Sequence, residues 1–123
     1  MDPAEDARTA LGPVTSSGPA SASASACFVS TLPVFAGHFP GAPLVPGMHQ
    51  VALVVELARR GIDGRALMLA AIVRCKWSLP VGPGDDLVVA AAWRQDGAHL
   101  LVDGTVARNE AVTCSCRLWL ADK

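Results

Sequence analysis

The chain has 123 residues, which is enough for one domain with one hydrophobic core and too few for two domains of ordinary size. Its 10 basic and 11 acidic residues give a formal net charge of −1, so it lacks the basic surface that nucleic acid or an anionic membrane requires. Hydrophobic residues make up 51% of the chain, but no apolar run approaches the roughly 20 residues of a membrane span. This much apolar surface on a small domain predicts a homo-oligomer, most simply a dimer.

The four cysteines predict no metal chemistry. Cys27, Cys75, Cys114 and Cys116 show neither a CxxC spacing nor a nearby histidine pair, so we predict no zinc site, and we predict no cofactor. We interpret them as small core residues with reduced thiols. No basic start followed by an apolar run is visible at the amino end, and we expect a cytoplasmic protein.

The first 26 residues are rich in alanine, serine, proline and glycine and show no hydrophobic periodicity. The sequence therefore predicts a disordered leader over residues 1–26 and a folded domain over residues 27–123. The segment CFVSTLPVF at the start of that domain predicts a short first strand.

Residues 48–60 have a helical pattern that starts after Pro46 and Gly47 and ends at Gly61. Arg59 and Arg60 are placed to complement the negative end of the helix dipole. Apolar residues occur on nearly every face, which predicts a helix surrounded by other elements rather than laid on a surface.

Four strand-like segments follow, and turn signals separate them. Asp96-Gly97 indicates a tight hairpin, residues 108–110 a second turn, and Asp103-Gly104 a bulge or kink within a strand. This order predicts an α+β fold in which an antiparallel β-sheet wraps around one central helix. The segments are ALMLAAIVRCKWSL (66–79), DLVVAAAWR (86–94), AHLLVDGTVAR (98–108) and EAVTCSCRLWL (110–120).

Two motifs carry a family resemblance. GHFPGAPLVPG, at residues 37–47, resembles the signature of the β-hydroxyacyl thioester dehydratases of the hotdog fold. LPVGPGDDL, at residues 79–87, resembles that family's second recurring turn, and the resemblance covers roughly residues 27–121 by segment order. With Gln50 shortly after the first motif, the chain resembles one branch of this family, the dehydratases of aryl polyene assembly.

The resemblance implies a dimer with two active sites at its interface and a substrate carried on acyl carrier protein or coenzyme A. It implies that His38 is the catalytic base and that the backbone N–H of Gly47 binds the thioester oxygen. A carboxylate on the central helix of the other subunit would handle the departing hydroxyl. The residues expected to bind the substrate are Phe39, Pro40, Gly41, Pro46, Met48 and His49.

These residue types fit the chemistry. A neutral imidazole is a base of suitable strength for the weakly acidic proton beside a thioester carbonyl. An N–H at a helix start, reinforced by the dipole, is a fixed donor for the charge that develops on the oxygen. The prolines between His38 and the helix restrict the backbone and keep the two groups at a fixed separation. The alternative is that His38 is a hydrogen-bonded loop histidine and that the prolines only shape a connection.

One position departs from the family pattern. The family's catalytic Asp or Glu lies five residues after Gly47, where this chain has Ala52, and a methyl group transfers no proton. Glu56, one helical turn further on, and His49, near the helix start, are the two candidates to compensate. The alternatives are an ion-paired or solvated Glu56 and a His49 at the rim or an interface, whereas His99 is expected to be exposed.

Three functions stay open at this point. The first is a dehydratase acting on 3-hydroxyacyl thioesters in fatty acid or polyketide type chemistry, with His38 as base and Glu56, water or no group as acid. The second, motivated by Ala52, is a non-catalytic subunit that pairs with a catalytic hotdog chain. The third is a thioesterase that would use Glu56 to activate water.

Overall fold

The structure is a computed structural model and describes residues 2–32, 35, 44–62 and 65–123. The predicted site residues His38, Phe39, Pro40 and Gly41 lie outside this described part. The helices are α1 (Pro3–Ala10) and α2 (Gly47–Gly61). The strands are β1 (Leu11–Gly18), β2 (Ser21–Ala26), β3 (Leu67–Trp77), β4 (Leu87–Asp96), β5 (His99–Arg108) and β6 (Ala111–Asp122).

The six strands form one antiparallel sheet in the order β1-β2-β4-β5-β6-β3. Helix α2 packs against one face of the sheet, and its apolar side chains Val51, Leu53, Val54 and Leu57 are fully buried there. The predicted α+β fold, the central helix and the four later strands are all confirmed. β3 is the last strand on its side, so one of its edges is unpaired within the described residues.

Backbone conformation explains the two predicted hairpin turns. Gly97 joins β4 to β5 with a φ of 60°, a left-handed value that glycine adopts without a steric penalty. Asn109 and Glu110 join β5 to β6 with φ values of 51° and 68°. Two consecutive left-handed residues are the pattern of a two-residue turn whose twist matches that of the strands.

Three glycines let α2 lie close to the sheet. A Cβ on Gly47 would lie 2.6 Å from the indole of Trp77, and a Cβ on Gly61 would lie 2.5 Å from that of Trp93. Under the middle of the helix, a Cβ on Gly104 would overlap Val54. An indole therefore covers each end of α2. The centre of the helix packs directly on the backbone of β5 at Gly104.

The predicted bulge at Asp103-Gly104 is wrong. Both residues pair regularly with β4 and with β6, and the irregularity between β5 and β6 lies between Val106 and Ala107. The glycine is required because the helix approaches closely, not because the strand bends.

The prediction of a disordered leader is also wrong, because residues 3–26 form α1, β1 and β2. In SASASA, the alanines at 22, 24 and 26 are buried and the serines between them face outward, with the period of two that a strand requires. Alanine is only weakly hydrophobic, so this alternation is a weak signal in the sequence. The segment 27–35 was predicted as the first strand, but its described residues 27–32 lie outside the strands, although Phe28 is fully buried.

Arg60 fastens the amino-terminal segment to α2. Its guanidinium donates hydrogen bonds to the carbonyl oxygens of Arg8, Leu11 and Gly12 at 2.9–3.1 Å. The carbonyl of Arg8 belongs to the last turn of α1, where a helix leaves acceptors unsatisfied, and the other two belong to the start of β1. The folded unit therefore includes the segment that was expected to precede it.

The cysteines are free, and Cys114 and Cys116 are buried as predicted, whereas Cys27 and Cys75 are partly exposed. The Sγ atoms of Cys75 and Cys114 lie 3.8 Å apart, and burial raises the pKa of Cys75 to about 12. A thiol that stays protonated is a poor nucleophile, which fits a packing role. Separately, none of the helices in the described ranges is long and apolar enough to span a membrane.

Candidate active site

The start of α2 is tied to the segment that follows β3. The N–H of Val45 donates to the carbonyl of Val81 at 2.7 Å, and the indole Nε1–H of Trp77 donates to the carbonyl of Gly47 at 2.9 Å. These contacts bring the ends of the two sequence motifs together. The first motif thus leads into a helix start whose position the second motif helps to fix.

The second motif is itself a braced turn. The carboxylate of Asp85 accepts from the N–H of Gly82 at 2.8 Å and from the guanidinium of Arg108 at 3.0 Å. The backbone hydrogen bond from Gly82 and the Arg108 guanidinium together lower the pKa of Asp85. Arg108 also donates to the carbonyl of Pro80 at 2.6 Å, so β5 holds both sides of the turn.

The first N–H groups of α2 are oriented outward from the helix. Pro46 is the N-cap, and its carbonyl accepts from the N–H of His49 at 3.0 Å. The N–H groups of Gly47 and Met48 belong to the first turn, where helix geometry provides no intrahelical acceptor. The binding of an oxyanion by the N–H of Gly47 stays a prediction.

The Trp77 indole lies against Gly47 and occupies the space that a Cβ at this position would fill. The glycine is required by the packing of Trp77 against the helix start.

Two concave regions lie along α2. A groove of about 610 Å³ runs past Pro46, Gly47, Gln50, Trp77 and Leu79. A cavity of about 300 Å³ lies further along the helix, between α2, the first turn of α1 and the start of β3. Met48 lines both regions.

Ala52 lies in the wall of this cavity. Val51 and Val55 line the cavity beside it, and Leu67 and Leu69 line it from β3. The position at which the resemblance expects a catalytic carboxylate thus faces an open, largely apolar space. This space has room for a longer side chain and lacks one.

The two carboxylates that line the cavity within the described chain are both engaged. Glu56 lies 2.9 Å from Nε of Arg60 and 3.6 Å from Nη1 of Arg59, so each of its oxygens faces a guanidinium. Asp2 caps α1 by accepting from the N–H of Ala4 at 3.0 Å. Glu56 therefore has the ion-paired arrangement that the sequence left as an alternative.

His49 is buried between α2 and the amino-terminal segment. Its side chain is 3% exposed, its Nε2 lies 2.8 Å from Oδ2 of Asp6, and its ring packs edge-on against Phe28. His49 lines neither the groove nor the cavity. The structure therefore gives it a role in fastening α1 and does not bring it to the predicted substrate. His99, in contrast, is exposed as expected and contacts Trp119.

Gln50 forms a second link between α2 and the sheet. Its Oε1 lies 2.7 Å from the hydroxyl of Thr113, which is also 3.0 Å from the carbonyl of Val106. Both side chains are buried, so their hydrogen bonds are costly to lose. The roles of Trp77 and Thr113 had no local sequence signal, because each lies 30 or more residues from its partner on α2.

Of the predicted site residues, the structure brings Pro46, Gly47 and Met48 together at the groove and places Glu56 in the cavity one turn beyond Ala52. Their arrangement supplies backbone donors beside a space that fits an acyl chain. The predicted catalytic base, His38, lies outside the described residues.

We expect Glu56→Gln to destabilise the protein by about 1–2 kcal/mol, because it removes the charge of a largely buried carboxylate that accepts a hydrogen bond from Arg60 and forms an ion pair with Arg59. Urea unfolding measures this change. Glu110→Gln, in the exposed hairpin turn, is the matched control for the loss of one negative charge. Equal stability of the two variants would contradict the structural role of Glu56.

The chain is similar in sequence to known proteins. The family model described as ApeI-like, ApeI dehydratase, matches residues 15–116. The chain is 33% identical to the 3-hydroxyacyl-[acyl-carrier-protein] dehydratase FabZ of Streptococcus pyogenes, over 68% of this chain and 70% of that protein. It is 30% identical to the FabZ of Polynucleobacter necessarius, over 69% of this chain and 66% of that protein. The chain thus spans about two thirds of the length of these relatives.

Solved structures share the fold. The dehydratase heterocomplex ApeI:P from Xenorhabdus doucetiae superposes with a TM-score of 0.71 at 22% identity, over 90% of this chain and 96% of that one. A hypothetical thioesterase from Streptococcus pneumoniae, solved with coenzyme A, superposes with a TM-score of 0.74 at 12% identity, over 99% and 94%. At these identities the likeness establishes the hotdog fold alone.

Proposed function

Since the chain belongs to the ApeI-like dehydratase family, we propose that it takes part in removing water from 3-hydroxyacyl thioesters to give trans-2-enoyl thioesters. The substrate would be carried on acyl carrier protein or coenzyme A. The fatty acid or polyketide type of the pathway and the cytoplasmic location remain predictions.

In this proposal, His38 removes the proton beside the thioester carbonyl. The charge that develops on the carbonyl oxygen is stabilised by the outward N–H groups at the start of α2, reinforced by the helix dipole. The groove beside Gly47 admits the thioester, and the acyl chain passes Met48 into the cavity. The hydroxyl then leaves from the adjacent carbon and needs a proton.

The observation that carries the proposal is Ala52 in the wall of the cavity. The described part of this chain offers no free carboxylate there, because Glu56 and Asp2 are engaged. We therefore propose that the acid is supplied by the central helix of a different hotdog chain. His38 of this chain and the carboxylate of that partner would form one complete site.

The unpaired edge of β3 is the surface on which such a partner would dock. Met68, Ile72, Val73 and Trp77 are apolar side chains on this strand, and each is 40–50% exposed. An exposed edge with apolar side chains favours pairing with a strand of another chain. The solved ApeI:P structure, described as a dehydratase heterocomplex, supports pairing between different chains. A homodimer through the same edge would have two sites that both lack the acid.

A thioesterase is less well supported. It would use Glu56 to activate water, but both oxygens of Glu56 face arginines. The likeness to a thioesterase structure at 12% identity concerns the fold.

The first experiment is hydration of trans-2-hexenoyl coenzyme A, the reverse reaction, by the purified chain. We expect slow turnover that His38→Ala abolishes, because a general base contributes roughly 100-fold to 10,000-fold. His99→Ala is the matched control, since His99 lies on an exposed hairpin far along the chain from the helix start. Equal rates for His38→Ala and the unsubstituted chain would overturn the role of His38.

A further inference from the structure

Trp77 makes two contacts with the first residue of α2. Its Nε1–H donates to the carbonyl of Gly47 at 2.9 Å, and its ring fills the space where a Cβ of residue 47 would lie. The side chain is nonetheless 48% exposed and forms part of the groove wall. A large aromatic residue is thus held by the helix start on one side and faces open space on the other.

The hydrogen bond fixes more than the carbonyl. The peptide group between Gly47 and Met48 is planar, so a fixed carbonyl oxygen also fixes the direction of the Met48 N–H on the opposite side. The preceding peptide, which carries the Gly47 N–H, is fixed in the same way, because the Pro46 carbonyl accepts from His49. The two outward N–H groups are therefore held by two separate contacts.

The strand that carries Trp77 is tied to α2 a second time. The N–H of Ser78 donates to the carbonyl of Thr113 at 2.9 Å, and the Thr113 hydroxyl lies 2.7 Å from Gln50. Contacts thus run from Gly47 through Trp77, Ser78 and Thr113 back to the same turn of the helix. Such a closed set of contacts restricts how far the indole and the helix start can separate.

We propose that Trp77 is a positioning residue, which holds the first peptide groups of α2 in the orientation in which their N–H groups meet the thioester oxygen. This inference rests on the proposed function for the identity of that oxygen. Preorganised donors avoid reorientation during the reaction, so their loss lowers the rate more than it weakens binding.

The kinetic test is Trp77→Phe, which keeps an aromatic ring and removes the N–H. We expect kcat for hydration of trans-2-hexenoyl coenzyme A to fall about tenfold with KM changed by less than about twofold, a smaller loss than the 100-fold or more seen when an oxyanion donor itself is removed. Trp119→Phe, on the face of the sheet away from α2, is the control. An unchanged kcat in Trp77→Phe, with turnover present in the parent, would overturn the inference.

A second readout does not depend on turnover. The protein labelled with 5-fluorotryptophan gives one ¹⁹F resonance for each of its three tryptophans, and the Trp77 signal is assigned by its absence in Trp77→Phe. We expect hexanoyl pantetheine, the part common to both carriers, to shift the Trp77 resonance and leave that of Trp119 unchanged. A silent Trp77 resonance would overturn the inference whatever the turnover. A shift without any hydration by the chain alone would keep the inference and contradict turnover by this chain in the absence of its partner.

Discussion

Ala52→Glu is expected to raise the rate of enoyl thioester hydration by the chain alone by about 100-fold to 10,000-fold, the usual contribution of a general acid or base. In the hydration direction, the introduced carboxylate deprotonates the attacking water. In the forward direction, it protonates the departing hydroxyl. Two copies of the variant would contain both halves of the site.

The structure allows this substitution without disturbing the core. Ala52 is only partly buried, and its side chain faces a cavity of about 300 Å³ instead of the sheet. The neighbours Met48, Val51 and Val55 make that cavity largely apolar. An apolar environment disfavours the charged form of a carboxyl group and so suits it to donate a proton.

Ala52→Gln is the matched control, because a glutamine side chain has the same size as that of glutamate and transfers no proton. The measurement is the initial rate of hydration of trans-2-hexenoyl coenzyme A, with thermal unfolding to show that both variants are folded. Equal rates in the two variants would contradict the assignment of position 52 as the missing acid.

The second large effect is expected from mixing two chains, each of which lacks one catalytic group. The double variant His38→Ala/Ala52→Glu lacks the base, and the unsubstituted chain lacks the acid. A pair made of one of each would have one complete site, with His38 from one chain and the introduced carboxylate from the other. Refolding the two together should therefore raise turnover well above the slow rate of the unsubstituted chain, to a level that neither component reaches separately.

The expected size of the recovery follows from the symmetry of a two-chain assembly. At equal amounts, about half of the pairs are mixed and each has one working site of two, so turnover should reach about a quarter of that of Ala52→Glu. The control is the same mixture with Ala52→Gln in place of Ala52→Glu. A mixture no more active than the sum of its components would contradict a site shared between two chains.

The arrangement of Glu56 has a local signal in the sequence. Arg59 and Arg60 follow Glu56 by three and four residues, the separations at which helix side chains meet. The structure places both guanidiniums against the carboxylate. A local periodic rule was therefore sufficient to favour an ion pair over a catalytic acid at this position.

The amino-terminal segment shows the opposite situation. Residues 3–26 are short of large apolar side chains, and composition alone indicated disorder. In the folded protein, the alanines of β2 are buried and its backbone pairs with β4, while His49 and Arg60 hold α1 against α2. Each of these contacts joins residues that are more than 40 positions from each other in the sequence. Only the pairing of β1 with β2 is local.

Local patterns predicted the central helix, the four later strands, their hairpins and the family, because periodicity, turn residues and a motif of fixed spacing can be recognised without the fold. They also identified Ala52 as the departure from the family pattern. The folded structure was needed to show that Glu56 is ion-paired, that His49 contacts α1 and that Trp77 covers Gly47. These outcomes depend on side chains from distant segments meeting at the ends of α2, and the distances between such segments are set by how the whole sheet packs on the helix.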